Sequence, residues 1–122
     1  MSRVVVLGAG ISGHTAASFA RRWLGPSHSV TVVSPNAEYN WIPSNIWVGV
    51  GLMGAAQVAF PLAPVYERHG IEFKQAFARE IHPEGDTENA APYVGVEPVG
   101  AHGTWQTASA LTFTGRMRCR CA

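Results

Sequence analysis

The chain has 122 residues, 47% of them hydrophobic and 14% charged. At roughly 150 residues per domain this is at most one domain, and the apolar share excludes a solvated, disordered chain. Nine basic against eight acidic residues leave a formal net charge of +1, which supplies no basic field for nucleic acid or an anionic membrane surface.

The apolar run near Met1 is too short for a signal peptide's core, and no stretch reaches membrane-spanning length. Two cysteines, Cys119 and Cys121, cannot staple a secreted framework. The expectation is a soluble, cytoplasmic single domain, or a piece of a larger one.

Residues 3–7 (RVVVL) are β-branched and apolar and predict a strand buried on both faces. Gly8 to Gly13 (GAGISG) predict a turn. Residues 11–24 predict a helix, with Ala16, Ala17, Phe19, Ala20, Trp23 and Leu24 as its apolar set and Arg21 and Arg22 outside. Gly25-Pro26 stops it. Residues 29–34 (SVTVVS) predict a second strand, parallel to the first, which completes a βαβ unit. Residues 35–60 read as a long irregular stretch, of the kind that covers a ligand or is itself covered. Residues 61–69 predict a short helix ended by Gly70, and residues 71–77 a third strand that residues 78–81 extend or follow.

From about residue 85 the pattern fades. Between Asn89 and Gly115 the only formally charged residue is Glu97, and neither helical nor strand periodicity persists. The last residues alternate Arg with Met or Cys, and the chain uses eight Arg against one Lys. Both features fit a G+C-rich gene read in a shifted frame, so residues 85–122 are read as an irregular or frame-shifted tail and residues 1–84 as a partial Rossmann-type domain. The fold class is α/β: a truncated Rossmann-type βαβ(αβ) half with a parallel sheet and an irregular C-terminal tail.

Gly8-x-Gly10-x-x-Gly13 lies between a predicted strand and a predicted helix, the context a dinucleotide fingerprint needs. Gly8 allows the tight turn, Gly10 lets a pyrophosphate approach the backbone, and Gly13 lets helix and strand pack closely. The amides of the helix beginning at Ile11 then face the phosphates, and Ser12 adds a hydroxyl. The carboxylate that normally holds the adenosine ribose about 20 residues further on is absent. Ser34 stands there and no acid occurs before Glu38. Ser34 either binds ribose together with the Pro35 backbone or merely ends the strand. No Arg follows to take a 2′-phosphate, so NADP is disfavoured.

VVVLGAGISGHTAA, VTVVSPNAEYNWIPSNIWVGVG and AFPLAPVYERHGIEF resemble the amino-terminal part of sulfide:quinone oxidoreductases. These are flavoproteins of the FAD-dependent pyridine nucleotide-disulfide oxidoreductase superfamily. The likeness covers about residues 3–82, and IPSNIWVGVG is its most distinctive part. It implies FAD as cofactor, held at the pyrophosphate by Gly8, Ala9, Gly10, Ile11 and Ser12, with Ser34 and Pro35 along the adenosine. It places Ile42 and Asn45 toward the flavin, and Phe77 and Ala78 on the strand whose backbone meets the adenine. Trp41 and Trp47 either cover the cofactor or are covered by protein. In the family, electrons pass from sulfide through FAD to quinone, and the full-length relative is peripheral at the cytoplasmic membrane.

Sulfide oxidation needs a thiolate beside the flavin, yet residues 1–118 contain no Cys, and a terminal C-x-C matches no metal-site spacing. The five histidines form no ligand-spaced pair and read as surface or turn residues. No catalytic or metal residue is therefore assigned. The chain is expected to be inactive alone and to bind FAD weakly or not at all. The alternatives are a non-enzymatic adenine-dinucleotide-binding module, a type II NADH dehydrogenase-like fragment, and a decayed remnant prone to aggregate.

Overall fold

A computed structural model of the chain describes residues 2–99 and 109–112, the latter four as backbone strand only. Strand β1 (Arg3–Leu7) leads through the glycine turn into helix α1 (Ile11–Trp23) and back into β2 (Ser29–Ser34). There follow β3 (Glu38–Asn40), a 3-10 turn (Ile42–Ser44), α2 (Asn45–Gly49), α3 (Ala55–Val58), β4 (Ala59–Pro61) and α4 (Leu62–Arg68). Strands β5 (Glu72–His82), β6 (Tyr93–Pro98) and β7 (Ser109–Thr112) complete the order.

The main sheet runs β1-β2-β5-β6-β7, and β3 pairs antiparallel with β4 in a small second sheet. β1 and β2 are parallel in the register Val4↔Val30 to Leu7↔Val33, and β2 and β5 are parallel from Thr31↔Glu72 to Ser34↔Gln75. The predicted α/β half with its parallel βαβ unit is thus present. The sheet as a whole is mixed rather than purely parallel, because β6 and β7 join antiparallel.

Alternation along the strands divides the core into two. Val30 and Val32 face α1 and α4, where Ala17, Leu62, Tyr66 and Ile71 are buried with them and Val4 and Val6 pack alongside. Val33 faces the other side, which is closed by Ala76, Val94 and Val96 with Val5 against them. The sheet curls so that its own antiparallel strand covers the face that has no helix.

Four expectations need correction. β1 is not buried on both faces: Val4 to Val6 are half-buried and Leu7 is exposed, because β1 pairs only with β2 among the described residues. The stretch 35–60 is not irregular but holds β3, α2, α3 and β4, pieces too short to carry a periodic signal. The irregular reading beyond residue 85 fails at Tyr93–Pro98, where Val94, Gly95 and Val96 are buried in a paired strand. Most of the remaining tail, including His102, Cys119 and Cys121, lies outside the described residues.

The fourth correction concerns α1. Only Ala17 is buried, with Ala20 and Leu24 packed against the core, while Ala16, Phe19 and Trp23 face outward. Phe19 and Trp23 cover each other instead, with ring centroids 5.1 Å apart. Arg21, expected outside, folds over the helix end, where its guanidinium donates to the carbonyls of His28 (2.7 Å), Leu24 (3.0 Å) and Gly25 (2.7 Å). A cation on free carbonyls at a helix C-terminus is favourable, and here it also fixes the start of β2.

Candidate functional site

The glycine turn sits at the C-terminal end of β1, and each glycine is there for a different reason. Gly8 has φ +100°, a conformation that L side chains avoid, and its N–H donates to the Val33 carbonyl at 2.8 Å. A Cβ at Gly13 would overlap the Gly8 carbonyl oxygen and lie 3.5 Å from Val6 Cγ1, so close helix–strand packing requires that glycine. Gly10 is different: its φ is −71°, open to any residue, and no described residue beyond its chain neighbours lies within 4 Å of where a Cβ would stand. Neither backbone strain nor packing demands glycine there.

Gly10 caps α1 without a side-chain hydrogen bond, and the first turn carries no acidic residue. His14 N–H bonds the Gly10 carbonyl at 2.8 Å, which begins the helical ladder and leaves the amides before it pointing forward. Thirteen helical residues put a partial positive charge at this end.

The second wall is the segment after β2. It is fastened to the chain around α3, β4 and α4 by Trp41 N–H to the Val58 carbonyl (2.7 Å), Leu62 N–H to the Ala37 carbonyl (2.9 Å) and the β3–β4 ladder. Between the walls lies a cleft of about 1160 Å³. Its lining runs from Gly8 to Ile11 and from Ser34 to Pro43, with Ala59.

Of the predicted site residues, Gly8, Ala9, Gly10, Ile11, Ser34, Pro35 and Ile42 line this cleft. Ser12, Gly13, Asn45, Phe77 and Ala78 do not. Gly13 acts from behind, through packing. Phe77 and Ala78 lie in β5 opposite Glu97 and Val96 of β6. Trp41 lines the cleft and Trp47 does not, and each is about half exposed.

The sequence reading missed Asn36 to Asn40 as a group, although they continue directly from the assigned Ser34 and Pro35. Ala59 gave no signal, because only the β3–β4 pairing brings it near. Among the described residues the sole charged one in the lining is Glu38. From these residues the cleft offers an anionic group backbone amides and the helix pole.

His14, expected at the surface, is half-buried and its Nδ1 lies 3.1 Å from the Tyr66 hydroxyl. Burial, and then the neighbouring Tyr39, push the Tyr66 phenol above its ordinary range. The pair ties α1 to α4 beneath the glycine turn. Among the described residues no cluster of His, Cys, Asp or Glu has the makings of a metal site, and no helix is long and apolar enough to cross a membrane.

No family model matches the chain. A sulfide-quinone reductase of Aquifex aeolicus is 30% identical over 84 residues, covering 69% of this chain and 19% of that protein. The solved structure of the sulfide:quinone oxidoreductase from the same hyperthermophilic bacterium superposes with a TM-score of 0.65 at 24% identity, over 80% of this chain and 21% of that one. The chain therefore spans about a fifth of the length of these relatives.

Proposed function

From the similarity to sulfide:quinone oxidoreductases as premise, we propose that this chain carries the part of an FAD site that holds the pyrophosphate and adenosine. One observation carries the reading: a cleft lined by Gly8 to Ile11 opens at the positive end of α1, and the Cβ position at Gly10 meets no described residue beyond its chain neighbours within 4 Å. A diphosphate there meets free amides and the helix pole. In this reading Gly8, Ala9, Gly10, Ile11 and Ser12 hold the pyrophosphate, Ser34 and Pro35 lie along the adenosine, and Ile42 and Asn45 lie toward the flavin. Phe77 and Ala78 meet the adenine through their backbone. Support for the last pair is that β2 stops at Ser34 opposite Gln75, so from Ala76 onward that edge of β5 lacks a strand partner among the described residues.

FAD would supply hydride and electron transfer. In the proposed full-length relative, electrons come from sulfide and leave to a quinone at the cytoplasmic membrane. The chain's own residues contribute binding and orientation. No cysteine precedes Cys119, so no thiolate from residues 1–118 serves sulfide oxidation. Among the described residues the lining falls between Gly8 and Ala59, and the cleft is open to solvent. The chain is accordingly expected to bind ADP weakly and saturably, and to lose FAD on gel filtration. Absence of any ADP response in calorimetry, or one unchanged by Gly10→Val, would overturn the proposal. Retention of stoichiometric FAD would overturn its claim to be only part of a site, and would favour a self-contained nucleotide-binding module.

A further inference from the structure

We propose that His14 couples this site to proton uptake: a diphosphate bound at the glycine turn draws a proton onto the imidazole, so the ligand binds more tightly at slightly acid than at alkaline pH. The inference rests on the pyrophosphate reading above and adds how that site is regulated.

His14 lies one turn into α1. Its N–H bonds the Gly10 carbonyl at 2.8 Å, and side chains on a helix lean toward the N-terminus, so the ring stands beside the turn that begins at Gly10. It is half-buried there. On one side is Tyr39, which lines the cleft, with ring centroids 6.0 Å apart. On the other is Tyr66, with ring centroids 5.4 Å apart and the hydroxyl 3.1 Å from Nδ1. A charge in this setting is screened less than one in open solvent.

The Tyr66 hydroxyl serves both protonation states of the ring. It donates to a neutral Nδ1 and accepts from an imidazolium N–H. Tyr66 is fully buried and stacked on Phe73, with centroids 5.7 Å apart. Burial first, and then Tyr39, holds its phenol above the ordinary range, so it keeps the proton this exchange needs. Tyr39 and Tyr66 are the titratable groups that face His14 from β3 and α4. Glu38 of β3 and Glu67 and Arg68 of α4 are exposed, and among the described residues His14 enters no ion pair. β1 and β2 present Val4, Val6, Val30 and Val32 to this core, and α1 itself has no acid in its first turn and its arginines in its last. Of these residue types only histidine changes charge near neutrality. A diphosphate at the turn brings negative charge to that side of the ring, and a nearby opposite charge favours the charged form.

The test is titration calorimetry of the 122-residue chain with ADP-ribose, whose diphosphate stays fully ionised at about pH 6 and about pH 8, either side of the ordinary histidine range. Wild type is expected to bind about fivefold or more tightly at the lower pH, the lower end of coupling between two groups. It should also take up protons, read as a binding enthalpy that differs between buffers of different ionisation enthalpy. His14→Gln keeps a partner for the Tyr66 hydroxyl but cannot become cationic, so it should bind equally at both pH values and take up none. Should that variant not fold, proton NMR of the wild-type histidine rings decides: ADP-ribose should raise the titration midpoint of one ring, and a shift in none overturns the assignment. If wild type binds with no pH dependence, or His14→Gln keeps the dependence, the His14 assignment falls and the pyrophosphate site stands. If wild type binds ADP-ribose at neither pH, both fall.

Discussion

At the scale of single residues, the three glycines of the turn make separable predictions. Gly10→Val fills a position that the structure leaves open but that caps α1, so it should cost no more than the roughly 0.5–2 kcal/mol of a poor cap residue and, on the proposed reading, abolish ADP binding. Gly13→Ala drives a methyl into the Gly8 carbonyl. It should cost about 1–3 kcal/mol, the usual range for overpacking. Urea unfolding of both variants, with ADP titration of whichever folds, checks the pair. A Gly10→Val cost well beyond that range would mean that the space before α1 is not free.

At the scale of elements, the β5–β6 hairpin carries its own pH dependence. Tyr93 donates its hydroxyl to Asp86, whose other carboxylate oxygen accepts the N–H groups of Glu88 (2.8 Å) and Asn89 (2.7 Å). The Tyr93 hydrogen bond first, and the Asn89 amide next, hold the Asp86 carboxyl below its ordinary 3.8. The same bond to Asp86 pushes the Tyr93 phenol from 10.0 up to about 12. A depressed acid stabilises the fold above its unfolded value, and loses that contribution as the pH falls through its folded one. A raised phenol stabilises below pH 10.0 and loses its share as the pH rises toward about 12. Both contributions are therefore complete between the ordinary carboxylate and phenol ranges. Phenolate absorbance should show a step near pH 12 that Tyr93→Phe removes, and the variant's Asp86 should titrate closer to its ordinary range. A wild-type chain whose three tyrosines all ionise near pH 10 would contradict the pairing.

At the scale of the whole molecule, apolar surface is left exposed in several places, two of them clustered. Ile42, Ile46, Trp47, Val50 and Leu52 are exposed along the segment beyond the cleft, and Phe19 and Trp23 on the outer face of α1. The outer edge of β1 has no strand partner among the described residues. Exposed apolar patches and open strand edges favour association. Sedimentation velocity should show the chain self-associating with rising concentration, and Ile46→Lys with Leu52→Lys should shift it toward monomer. A monodisperse wild-type monomer at high concentration would refute this.

The residues themselves determined the βαβ unit, its glycine turn, the α4 helix and the start of β5. Each is specified within one stretch of chain, by β-branched runs, glycine placement and stop signals, and steric and hydrogen-bonding rules act at that range. The likeness of VVVLGAGISG and IPSNIWVGVG to sulfide:quinone oxidoreductases was legible for the same reason, and it brought Ile42 into the cleft in advance. Tertiary structure alone decided what covers what. Val94 and Val96 become core only because β5 turns them over Val33, and β1 stays half-exposed because one neighbour is all it has among the described residues. Ser34 turns inward while Glu38 stays exposed, because the chain from Asn36 to Pro43 is fastened to residues some twenty positions away. Burial and side-chain direction are set by contacts between distant segments, and no local pattern encodes them.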